Sequence, residues 1–192
     1  MEFRMRFSLA DIPQQAWKNG GGSTQELAMK TDAQGAMLWR VSLAEISSDG
    51  AFSTFPGFAC IHCIVSGAGL TLSGAKRLEG KPLQPLHFDG GLELFARLNG
   101  GASTAFNLIY DPTAVSAEMQ IWTAGSHVVP QGCILLFVLS GSAILQTEGR
   151  TEQLEAGQGF HGEAEARVTL SDGGQMVLLT LDPLLADIDG AE

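Results

Sequence analysis

"IHCIVSGAGLTL" (residues 61–72) and "LLFVLSGSAILQ" (residues 135–146) are two versions of one pattern, an apolar strand that ends in Ser-Gly and runs into a second apolar segment. Each is followed, about twenty residues on, by a Phe-x-Gly, FDG from Phe88 and FHG from Phe160; the spacing differs by only two residues between the halves. A strand, a glycine turn, a hairpin partner and a further glycine-bounded strand make half of a jelly roll. Two copies predict a duplicated, all-β architecture of two fused barrels.

The rest of the chain keeps the same rhythm. Turn signals (SDG, EG, DGG, NGG, GG) recur between short runs rich in Val, Ile, Leu and Phe, as in sandwiches and barrels. Helical periodicity is nearly absent. The candidates are Leu9 to Trp17, with Ser8 as a cap and Pro13 as a limit, and the acidic tail after Pro183. No linker separates the halves, because 99–130 stays strand-like through STAFNLIY and AEMQIWTA. The expected division is an N-terminal barrel over 1–110, carrying the candidate pocket, and a structural C-terminal barrel over 111–192, closely packed and free to exchange strands.

Charge and composition exclude several function classes. At 192 residues with a formal net charge of -10, the chain repels phosphate backbones, so no direct nucleic-acid partner is expected. It shows neither a signal-like apolar stretch behind a basic N-terminus nor an apolar run of membrane-spanning length, so the expectation is a cytoplasmic protein without a membrane partner. A homodimer is left open. Cys60, Cys63 and Cys133 are an odd number set in apolar stretches and read as buried, reduced thiols.

The stretch "WKNGGGSTQEL" (17–27) superficially suggests a phosphate loop. Lys18 precedes the glycines, however, and a strand pattern follows them, whereas a P-loop needs its lysine after the glycines at the start of a helix. The turn could instead offer backbone N–H groups to an anion, with Lys18 and Asn19 alongside. Period-two alternation puts Arg40, Ser42 and Ala44 on one face and Trp39, Val41 and Leu43 on the other; likewise Thr24, Glu26 and Ala28 oppose Gln25, Leu27 and Met29. The polar set is either an outer surface or the lining of a barrel interior able to enclose one small ligand. Arg40 is suited to carboxylate recognition, and "GAFSTFPGF" places Phe52, Phe55 and Phe58 in one loop able to close a pocket mouth. There is no Gly-x-Ser-x-Gly, His-Glu-x-x-His or dinucleotide fingerprint, so binding is favoured over turnover.

WKNGGGSTQEL, WRVSLAEISSDGAFSTFPGF, IVSGAGLTL, PLHFDG and AFNLIY resemble, in order and spacing, the HutD/Ves family of bacterial double-cupin proteins. The resemblance is strong over residues 7 to about 110 and general beyond. It implies a bicupin fold and a regulatory association with histidine degradation, with N-formylglutamate or urocanate as the suspected ligands. The chain departs from the family pattern at Ala59 and Cys60, where an Asp-Arg pair is usual, at Ala105, where Asp is usual, and in LIYDP, which lacks the common basic pair.

Cupins often carry a metal on two histidines at i and i+2, a glutamate and a later histidine. Cys60, His62 and His87 match that pattern in part, without the second histidine or the glutamate. The expected function is therefore the cofactor-free binding of a small carboxylate metabolite in the N-terminal barrel, modulating histidine utilisation. Lys18 and Arg40 take the anion, Asn19 and Ser42 supply hydrogen bonds, Glu26 orients Arg40 or reads an amine, and Phe52 and Phe88 form the apolar wall. The alternatives are a metal-dependent cupin enzyme acting on a small organic acid through Cys60, His62 and His87, and a protein-interaction module whose barrel is filled.

Overall fold

The computed structural model describes residues 5–162 and 165–184. The first half of the chain forms β1 (Met5–Ser8), β2 (Gln15–Ala16), β3 (Gly22–Thr31), β4 (Met37–Ile46), β5 (Gly50–Ala51), β6 (Ala59–Ser66), β7 (Leu70–Gly74), β8 (Leu78–Gly80), β9 (Leu86–Asp89), β10 (Leu94–Leu98) and β11 (Ser103–Tyr110). The second half forms β12 (Val115–Val128), β13 (Cys133–Ser140), β14 (Ser142–Thr147), β15 (Arg150–Glu155), β16 (Gln158–His161) and β17 (Ala166–Pro183). The architecture is all-β with the curled sheets of a bicupin. Among the described residues, no helix is long and apolar enough to cross a membrane.

The internal repeat is visible in the strand pairing. The Ser-Gly strands are β6 and β13, and the Phe-x-Gly strands β9 and β16 pair with them antiparallel. In the first half, β2-β3-β4-β11-β6-β9 and β5-β10-β7-β8 are separate sheets. In the second half, β17 pairs with β12, β13 and β14 along its 18 residues and joins both layers into one seven-stranded sheet. β1 crosses from the N-terminus to the edge of that sheet, with Arg6 opposite Phe160.

Three cores explain why residues 133–145 are apolar on both faces. From β13, Leu135 and Phe137 enter a core shared with Val41, Ile61, Phe106 and Leu108 of the six-stranded sheet. Leu136 and Val138 point the other way, into the interior of the second barrel with Leu145, Leu154, Phe160 and Leu178. The third core, Ile46, Ile64, Leu70, Leu72, Leu94, Ala96 and Ala105, fills only part of the first barrel.

Two sequence expectations change here. Leu9 to Trp17 is not a helix: a 3-10 turn at Leu9–Asp11 gives way to the short strand β2, and Ser8 makes no side-chain cap. Pro13 forbids propagation, while Gln25 Nε2 donates to the carbonyls of Leu9 and Ile12 at 2.9 and 2.8 Å and holds the segment down. Of the acidic tail after Pro183, Leu184 is not helical and the rest lies outside the described residues.

The strand β3 also departs from simple alternation. Glu26 pairs with Ser42 but Ala28 pairs with Val41, so a bulge at Leu27 inserts one residue and reverses the faces beyond it. Ala28 therefore joins the inter-barrel core rather than the polar face, and Met29 lies opposite Arg40.

The glycine run closes the β2–β3 hairpin. Gly20 has φ +71°, and a Cβ on Gly22 would lie 2.1 Å from the Glu45 carbonyl oxygen and 3.0 Å from the Trp17 ring. Only glycine fits such a backbone approach. Gly22→Ala is expected to lower stability by about 1–3 kcal/mol, read as a lower urea midpoint at unchanged slope. A midpoint equal to that of the parent protein would show that the hairpin relaxes freely.

Candidate functional site

Where the third core stops, the first barrel opens into a cavity of about 490 Å³. That volume suits a small organic ligand. Its floor is the inner face of three adjacent strands. Register places Arg40, Ile109 and Cys60 in one row across β4, β11 and β6, and Ser42, Asn107 and His62 in the next. Space remains because Ser42, Ala44 and Ala51 are small. Phe52, Phe55, Phe88 and Trp17 form the apolar wall.

Of the residues expected from sequence, Arg40, Ser42, Phe52, Phe88, Lys18 and Asn19 all line this cavity. Arg40 is half-buried, with its guanidinium carbon 5.4 Å from the centre of the Phe55 ring, a cation–π arrangement. Its Nε is buried without a hydrogen-bond partner, and none of the three ion pairs among the described residues involves it. Phe52 meets Phe88 at 6.1 Å and 62°. Phe58 of the same loop lies instead on an adjoining, more open depression with His87, Asp89 and Tyr110, which shares Cys60 and Phe88 with the cavity.

The glycine turn does not offer the anion nest expected of it. The Gly21 N–H donates to Asn19 Oδ1 at 3.0 Å and the Gly20 N–H to the Trp17 carbonyl at 3.0 Å. Those donors are consumed in forming the turn, and Asn19 spends its side-chain oxygen there. Lys18 remains at the mouth with an exposed side chain. Glu26 lies opposite Ser42 in register yet is exposed and absent from the cavity wall, and it forms no ion pair with Arg40. The bulge beside it turns the strand away.

Cys60 and His62 share the cavity floor, but His87 does not. His87 pairs with Ile61, so it projects from the opposite face to Cys60 and His62, which pair with Phe88 and Leu86. Among the described residues, no three His, Cys, Asp or Glu side chains gather closely enough to hold a metal ion. Burial first, then the Asp89 carboxylate, push the Cys60 thiol up to about 12, with Arg40 offsetting this only in part. A thiol this reluctant to ionise is a poor nucleophile and a poor metal ligand.

Asn107 escapes a reading of sequence alone, and His62, expected from sequence only as a partial metal ligand, takes a different place here. Asn107 lies between Ser42 and His62 and places its Oδ1 2.6 Å from His62 Nδ1. The alternation in AFNLIY carried the signal, since one polar residue sits among inward and outward apolar ones. His62 is 1 % exposed, lies T-shaped to Phe52 with ring centroids 5.5 Å apart, and leaves Nε2 buried without a partner.

Burial holds the His62 pKa below its usual 6.5, against the opposing pull of the Asn107 hydrogen bond. Burial likewise lowers His161, against its backbone hydrogen bond with Leu27. Unfolding lets both histidines take up protons that the folded state resists, so stability is full above about pH 6.5 and falls as pH drops toward the lowered folded values. Urea midpoints measured between pH 7.5 and 5 should decline on acidification, and His62→Gln should flatten the decline in part, leaving the His161 contribution. An identical slope in parent and variant would mean that His62 titrates normally.

Similarity to known proteins shows the family and agrees with the fold. The family model described as HutD matches residues 9–179. A Pseudomonas putida protein described as an uncharacterized 21.2 kDa protein in the hutC 3' region is 34% identical over 151 residues, 74% of this chain and 77% of that protein. Protein Ves of Escherichia fergusonii is 29% identical over 138 residues, 70% of this chain and 72% of its own. The solved structure of HutD from Pseudomonas fluorescens superposes with a TM-score of 0.80 at 27% identity, covering 95% of this chain and 100% of that one. Oxalate decarboxylase of Bacillus subtilis, at 12% identity and a TM-score of 0.62 over 92% of this chain and 76% of its own, shares the fold alone. With its family match running through both barrels, the chain belongs to the HutD family.

Proposed function

We propose that this chain is a small-molecule-binding bicupin that modulates histidine utilisation, taking a carboxylate-bearing intermediate, N-formylglutamate or urocanate, into its N-terminal barrel. The observation that carries this reading is the buried, unpartnered Nε of Arg40 on the wall of a cavity of about 490 Å³. A guanidinium N–H left without an acceptor costs free energy that a ligand carboxylate would recover. The ring of Phe55 holds the guanidinium plane in place. Lys18 at the mouth adds positive charge on the path of an incoming anion, while Phe52 and Phe88 cover its apolar part. Connection to histidine utilisation rests on family membership and on the naming of the Pseudomonas putida relative for its place beside hutC. With a net charge of -10, the chain would reach gene expression through that metabolite rather than by holding DNA.

Ligand linkage tests the reading. A ligand that binds only the folded state at a hundredfold excess over its Kd stabilises it by roughly 2.7 kcal/mol, enough to raise the Tm by several degrees. N-formylglutamate or urocanate at millimolar concentration should give such a shift, with glutamate and histidine as controls. Arg40→Met keeps much of the stem volume and deletes the guanidinium, so it should abolish the shift while the variant remains folded. A shift that survives Arg40→Met, or none with any pathway acid, would remove the proposal.

A further inference from the structure

The proposed function rests on Arg40 and a carboxylate; the other unpartnered atom of the same cavity specifies what the rest of the ligand must carry. Asn107 Nδ2 donates to the Ala105 carbonyl at 3.4 Å, which turns its Oδ1 toward His62 Nδ1 at 2.6 Å. An oxygen acceptor there requires the proton to be on Nδ1. A neutral imidazole then bears its lone pair on Nε2, and this atom is buried in the cavity wall without a donor. His62 is 1 % exposed, and the Phe52 ring packs perpendicular to its own. Burial also keeps the ring neutral, since it lowers the pKa.

We infer that His62 Nε2 is a specificity-determining hydrogen-bond acceptor, selecting acids that carry an N–H or O–H donor in addition to the carboxylate held by Arg40. The two anchor residues stand on β4 and β6, with β11 between them, so their backbones lie roughly 10 Å apart across the sheet. A compact ligand bridges them only if its donor and its carboxylate are at opposite ends. An acid of the same shape without the donor would leave the Nε2 lone pair as unsatisfied as it is in the ligand-free protein, whereas an acid with the donor gains the missing hydrogen bond.

Isosteric probe pairs separate this inference from the broader reading. The pairs are 3-(pyrrol-2-yl)acrylate with 3-(furan-2-yl)acrylate, and 4-(pyrrol-2-yl)butanoate with 4-(furan-2-yl)butanoate. Each pair matches in size and charge and differs in a ring N–H against a ring oxygen, and the two chain lengths vary the reach. Calorimetric titration of the parent protein should show at least one pyrrole acid binding tighter than its furan partner by about tenfold or more. His62→Leu should erase the preference, and His62→Gln, which retains an acceptor, should restore part of it. Nitrogen-15 spectra of the ligand-free protein should show His62 protonated on Nδ1 alone, a readout that needs no variant to fold. Equal binding within both pairs, lost in Arg40→Met, would overturn the role of His62 and leave the carboxylate site standing. A proton on Nε2 would also overturn it, and no binding of any probe would remove both readings.

Discussion

The register of β11 between β4 and β6 is the constraint on which the rest depends. Phe106 and Leu108 are fully buried and face outward into the core shared with Phe137, Val177 and Leu179 of the second barrel. A slip of one residue would drive both into the cavity and carry Asn107 into the apolar interface. The inter-barrel core therefore sets the site. By fixing which residues point outward, it obliges Ala105, Asn107 and Ile109 to point inward, and pairing then places Asn107 beside both Ser42 and His62.

This division of labour explains why one barrel is packed and the other open. The second barrel fills its interior with Leu136, Val138, Leu145, Leu154, Phe160, Met176 and Leu178, and its long strand β17 stitches the layers together. The first barrel breaks into two sheets and uses Ser42, Ala44 and Ala51 where large residues would close it. Stability lost to the missing packing is supplied by the shared core, so the first barrel can hold imperfectly satisfied polar atoms. Arg40 Nε and His62 Nε2 are such atoms, one a donor and the other an acceptor. Away from bulk solvent, each such atom makes the protein discriminate by chemistry as well as by shape.

Several residue-level expectations held because they depended only on strand period. Arg40 and Ser42 share the inward face, while Trp39, Val41 and Leu43 pack outward. Others failed where local geometry departed from the period. The bulge at Leu27 moved Ala28 into the core and left Glu26 at the surface. The glycine donors beside Lys18 were spent on Asn19 and Trp17. His87 lay one residue out of phase with Cys60 and His62.

The sequence by itself determined the duplication, the all-β class and the face on which each side chain of a regular strand lies, because turn residues and two-residue alternation are local properties of the chain. It also determined the family, through long motifs whose order survives along the chain. Only the tertiary structure decided which strands are neighbours, and hence that Asn107 orients His62 across a separation of 45 residues. It likewise decided that Phe55 lies against Arg40 and that the first barrel is hollow where the second is full. Those outcomes depend on volumes and lone pairs brought together from distant segments, and no local pattern encodes the space left over when they meet.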